Sequence, residues 1–152
     1  MQTNYRRRRS GATLVEFALV GPFALIILLG ILDVGLAVWS YNNVAEAVRE
    51  GGRYAQIHGS KYATWYAGPP APPTGAPAAS GPTANDANVE NVVRGYSFVS
   101  QSNLTVLSTW SNGDNKPHSP VTVEANYSYS PLLLFGLGKL TLHTKTTMYI
   151  NY

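Results

Sequence analysis

With 152 residues the chain is long enough for about one domain, and 45% hydrophobic with 11% aromatic residues is too apolar for a disordered protein. No cysteine occurs, which excludes a disulfide framework, a thiol nucleophile and every thiolate metal site. The formal net charge of +3 is local: four of the eleven cations are Arg6, Arg7, Arg8 and Arg9, and from Ala12 onward seven cations face eight acids. A nucleic-acid partner needs a distributed basic stripe, and none is present.

From Phe17 to Leu32 sixteen consecutive residues are uncharged, and past Asp33 the uncharged run resumes through Tyr41. The stretch 17–41 makes about 37 Å of helix, enough to cross a hydrocarbon core of about 30 Å with tilt, so a transmembrane helix is expected over residues 12–41. The arginines before it have no counterpart cluster after it, which puts the N-terminus in the cytoplasm and the rest of the chain outside. Trp39 and Tyr41 fit an aromatic belt at the outer interface. A cleaved signal peptide also begins with a basic region and an apolar run, but this run is longer than an ordinary h-region and no A-x-A site closes it.

Glu16 and Asp33 are about 25 Å apart along a helix and mark opposite edges of the membrane. Asp33 suits either an interfacial position or contact with an intramembrane partner, since a carboxylate at the bilayer centre costs about 2.5–3.5 kcal/mol. Pro22 removes a helical hydrogen bond and restrains Gly21, so a kink is expected there.

The segment Arg-Arg-Arg-Arg-Ser-Gly-Ala-Thr-Leu-Val-Glu-Phe-Ala-Leu-Val, residues 6–20, resembles the processing site of class-three prepilins: a basic leader, a Gly at the cut, a Glu five residues beyond and then an aromatic. Here these are Gly11, Glu16 and Phe17. More closely, the chain resembles the TadE family of minor pilins or pseudopilins of the tight-adherence (Flp) branch of type IV pilus systems. The likeness is densest over residues 10–57, including Val15-Glu16-Phe17-Ala18, Leu32-Asp33-Val34-Gly35 and the run from Ala47 to Ala55, with a weaker echo around Tyr129-Ser130-Pro131-Leu132. Leu36 stands where an Arg is frequent in that family.

The resemblance implies a leader of residues 1–11, removed between Gly11 and Ala12 by a prepilin peptidase in the inner membrane. It implies Glu16 and Phe17 as assembly residues, and as partners other pilin or pseudopilin subunits, the inner-membrane assembly platform and membrane lipid. No cofactor is implied. A minor subunit is favoured over a major one, because major subunits of this branch are much shorter.

The electrostatics run the same way without the resemblance. A cut after Gly11 removes all four arginines and frees an α-amine on Ala12 that is mostly cationic at neutral pH. Glu16 lies one helical turn further on, within reach of that amine or of the amine on an adjacent subunit. Pairing between subunits would lower the cost of withdrawing the helix from lipid and would fix its register.

Beyond Tyr41 a helical period continues, and residues 42–67 are expected to extend the helix. Val44, Ala47, Val48, Gly51 and Ala55 form one stripe opposite Glu46, Arg49, Glu50 and Arg53. Ala47, Gly51 and Ala55 make a small-residue ladder that lets another backbone approach closely, from the chain's own domain or another helix. The pair Gly51-Gly52 weakens a helix interior. Residues 68–87 hold six of the ten prolines and one charge, an extended loop.

Residues 88–152 read as a small α+β unit. Asn85 or Asp86 caps a short helix through Val89, Val92 and Val93, ending at Gly95. Strands begin at Leu104, at Val121 and at Leu140, the last two with clear two-residue alternation, and a turn falls at Asn112-Gly113-Asp114. The expected fold is α+β: a long N-terminal transmembrane helix continuing into a small antiparallel sheet packed on it. His58, His118 and His143 are isolated, so no metal site is expected, and no nucleophile can be paired with a base. The chain reads as a structural subunit, not an enzyme. An uncleaved single-pass anchor presenting a binding or adhesion domain is the alternative, and a secreted domain behind a signal peptide is a third.

Overall fold

A computed structural model of the chain describes residues 5–59, 86–113, 115–131 and 138–151. Residues 60–67 of the expected helix continuation and the Pro/Gly-rich stretch through residue 85 lie outside these, as do the side chains of the four leader arginines. Helix α1 spans Tyr5–Ile57 and carries Pro22 in its interior without interruption. A second helix, α2, spans Ala87–Tyr96, and three strands follow: β1 (Leu104–Trp110), β2 (Pro120–Tyr129) and β3 (Leu140–Tyr149). The architecture is α+β.

Two regimes divide α1. From Gly11 to Leu32 it is bare, with Leu14 72%, Phe17 78%, Phe23 64% and Ile31 70% exposed. From Asp33 on, a stripe is covered: Asp33, Ser40, Val44, Ala47, Val48, Gly51, Gly52 and Ala55 are buried, and Ala37 is half-buried. The spacing of three and four residues keeps this stripe on one side of the helix, so a single flat partner covers it.

The sheet makes up the larger part of that partner, with strand order β1-β2-β3 and both pairings antiparallel. Leu104 pairs with Tyr127 and Trp110 with Val121, while Tyr129 pairs with Leu140 and Val121 with Met148. Alternation along β1 and β2 turns Val106, Trp110, Val121, Val123, Ala125 and Tyr127 into the core. The opposite face is polar and laced across β2 and β3: Lys145 pairs with Glu124 at 2.9 Å, His143 with the Asn126 side chain at 2.9 Å, and Thr122 with Thr147 at 2.9 Å.

Contacts at both ends fix how β3 lies along α1. At one end Leu140 flanks the same groove as Asp33 and Ala37; at the other the Asn151 amide donates to the Gln56 carbonyl at 2.9 Å. Asp33 to Gln56 is about 35 Å of helix, and Leu140 to Asn151 is about 36 Å of strand, so the two elements match in length and run side by side.

Helix α2 fills the remaining edge of the core. Asp86 is its N-cap, accepting from the Asn88 amide at 2.7 Å, while its own amide donates to Ser108 on β1 at 2.9 Å. At the other end Arg94 pairs with Glu90 and donates to the carbonyls of Gln101 and Leu104, tying the helix to the start of β1. Its buried side chains, Val89 and Val93, face α1 at Gly51. The chain turns after β1 through Gly113, whose φ of 68° suits a residue without a side chain.

Candidate functional site

The residues singled out from sequence fall into two groups, both on α1. Gly11, Ala12, Glu16 and Phe17 lie at the head of the bare helix, all helical and all exposed. Nothing lies within 4 Å of where a side chain on Gly11 would begin. Glu16 is one turn beyond Ala12, so its carboxylate and the amine that cleavage would create share a face. Thr13, Glu16, Phe17 and Val20 border a shallow depression on that face. A carboxylate, an aromatic ring and two β-branched residues thus meet there.

Asp33, Ala47, Gly51 and Ala55 form the second group, and the chain's own domain occupies all four. Ala47 is 0% and Ala55 1% exposed. The small-residue ladder receives α2 and the sheet: a Cβ on Gly51 would collide with Val93 Cγ2, and one on Gly52 would lie 2.9 Å from Thr146 Cγ2. The two glycines that weaken the helix locally are therefore the places where two layers come closest. Of the two partners left open by the sequence, the structure supplies the chain's own domain.

Asp33 is 4% exposed. The Tyr129 hydroxyl, at the end of β2, donates to the Asp33 carbonyl at 3.2 Å. Burial raises the pKa of this phenol, and the negative charge of the neighbouring Asp33 raises it further. The folded domain thus closes over Asp33 at the point where the bare helix ends. Tyr129 was not legible as a partner, because 96 residues separate it from Asp33 and alternation reports only that it faces inward.

This contact makes a pH prediction. The folded-state pKa of Tyr129 lies above the unfolded value of about 10, so the neutral phenol's contribution is complete below that value and is lost as pH climbs through the folded pKa. Titrating phenolate absorbance should reveal one tyrosine ionising later than the rest, with domain unfolding following it. Tyr129→Phe should remove the late step and cost about 0.5–1.5 kcal/mol at neutral pH. A titration unchanged by that substitution would contradict the assignment.

Residues 11–53 match the model of the TadE-like protein family, from the candidate cut at Gly11 to Arg53 on the covered part of α1. This segment is TadE-like. No curated protein and no solved structure matches the chain. The TadE-like segment contains the whole bare helix, Glu16, Asp33 and the ladder through Gly51, whereas α2 and the sheet lie beyond the matched residues. Its bare part is also long and apolar enough to cross a membrane.

Proposed function

We propose that this chain is a pilin-like structural subunit of a tight-adherence pilus, a minor pilin or pseudopilin, cut between Gly11 and Ala12 by a prepilin peptidase. Before the cut it is a single-pass inner-membrane protein, its N-terminus held in the cytoplasm by Arg6, Arg7, Arg8 and Arg9 and its sheet domain outside. After the cut the helix loses that lock. Its tip then carries one ammonium and, a turn away, one carboxylate, and it leaves lipid by exchanging those charges with a sibling subunit. The protein is a substrate and a building block here, and its surface performs no catalysis.

The observation that carries this reading is the order of features along one helix: four arginines, then Gly11, Glu16-Phe17 and a bare apolar stretch, the part from Gly11 onward matching the TadE-like family. Helix α1 is exposed from Gly11 onward, which suits a peptidase that must reach the backbone there.

Gly11→Ala tests the proposal. The variant should insert in the membrane at the normal level, because the arginines and the apolar run are untouched. It should accumulate as the uncut precursor, visible as a single slower band in the membrane fraction. Normal processing of this variant would refute Gly11 as the recognition residue.

A further inference from the structure

Beside the cap on Asp33 a groove opens between α1 and the lower end of the sheet. Ile26, Gly30, Val34 and Ala37 line it from the helix, Pro131 and Leu140 from the strands, and its volume is about 520 Å³. Apart from Asp33 and the Tyr129 hydroxyl, these residues offer it only carbon-rich surface. Leu140 is 50% and Val34 65% exposed, so the apolar surface continues without a break onto the bare helix.

Helix length decides what the groove meets. From Gly11 to the first helix residue of the groove, Ile26, is about 24 Å, short of a hydrocarbon core of about 30 Å. A domain held clear of the bilayer would leave the span too short. From Gly11 through Leu32 is about 33 Å, which does fit, and it puts Ile26 and Gly30 at acyl-chain depth. The lower end of the sheet must therefore descend to that level with them.

We infer that this groove is a lipid-docking surface: the sheet domain rests on the outer leaflet, with acyl chains of the membrane filling the space between Val34 and Leu140. The capped Asp33 forms its polar roof, at the level where headgroups begin. Before assembly the lipid contact holds the domain down on the membrane and sets its orientation. Extraction of the helix must then empty the groove as well as bare the span. This inference rests on the membrane-crossing reading of α1.

The natural absence of cysteine allows a direct test on the full-length chain. Single-cysteine variants Leu140→Cys and Val34→Cys, labelled with an environment-sensitive fluorophore, are reconstituted in phosphatidylethanolamine–phosphatidylglycerol vesicles containing lipids spin-labelled both at the headgroup and along the acyl chain. Phe23→Cys is the reference within the span, and Tyr149→Cys, exposed at the far end of β3, the aqueous reference. Labels at 140 and 34 should lose more than half of their fluorescence, as at 23, with no loss at 149. Quenching at 23 without quenching at 140 and 34 would overturn the docking surface alone; no quenching at 23 would overturn the membrane span with it. Cross-linking of position 140 to a second copy, persisting on dilution into excess lipid, would put a subunit in the groove and equally overturn the inference.

Discussion

Gly51→Ala is expected to destabilise the sheet domain by about 1–3 kcal/mol, although the same change in an open helix would stabilise it by up to about 1 kcal/mol. The added carbon collides with Cγ2 of Val93, a fully buried residue on α2 that is stiff at χ1 and cannot swing aside. Gly51→Val adds two more methyl groups against Val89 and Val123 and should prevent stable docking of α2 and the sheet onto α1. A domain this small has only a few kcal/mol to lose. Gly52→Ala should be milder, because its closest approach, 2.9 Å to Thr146 Cγ2, is looser than the collision at Gly51, and Met148 beside it is flexible. Gly95→Ala, with nothing within 4 Å, should be neutral or stabilising. Urea unfolding in detergent orders the four variants, and Val93→Ala in the Gly51→Ala background should recover most of the loss. Equal midpoints for Gly51→Ala and Gly95→Ala would contradict the packing.

Glu16→Gln should permit cleavage and abolish assembly. Removing one partner of an ion pair shielded from water leaves the other charge uncompensated, at about 3–5 kcal/mol, which is about two to four orders of magnitude in an association constant. Glutamine keeps the shape, so Glu16→Gln should behave like Glu16→Ala if the charge matters and like the natural residue if only packing does. The readout is twofold: the mass of the membrane-bound protein, which should be that of the processed form, and its recovery in sheared filaments, which should fall to background. Normal filament yield from Glu16→Gln would remove the charge pair from the account.

The sequence reported what is local. Sixteen uncharged residues need no partner to declare a span, the alternation in β2 and β3 needs only its own period, and the acidic cap at Asp86 lies next to the helix it starts. The head of α1, with Gly11 and Glu16, is exposed, and among the described residues nothing folds over it.

What sequence could not report were contacts made by distant residues. Asp33 was ambiguous because its neighbour Tyr129 arrives from the end of β2, and no pattern near either one names the other. The Gly51-Gly52 pair looked like a weakness of the helix, yet each glycine is a contact point for a different layer, Val93 on α2 and Thr146 on β3. The covered stripe begins at Asp33, and Trp39 and Tyr41 remain about half exposed on the uncovered side of α1. An apolar helix face looks the same whether lipid or protein covers it.

The central claim is that the basic leader is exchanged for a single amine at the head of the helix. N-terminal sequencing and intact mass of the protein purified from its native membrane or filaments measure this directly. The account predicts a chain that starts at Ala12. A chain that still starts at Met1, with its four arginines in place, would contradict it and leave a membrane-tethered domain that never joins a filament.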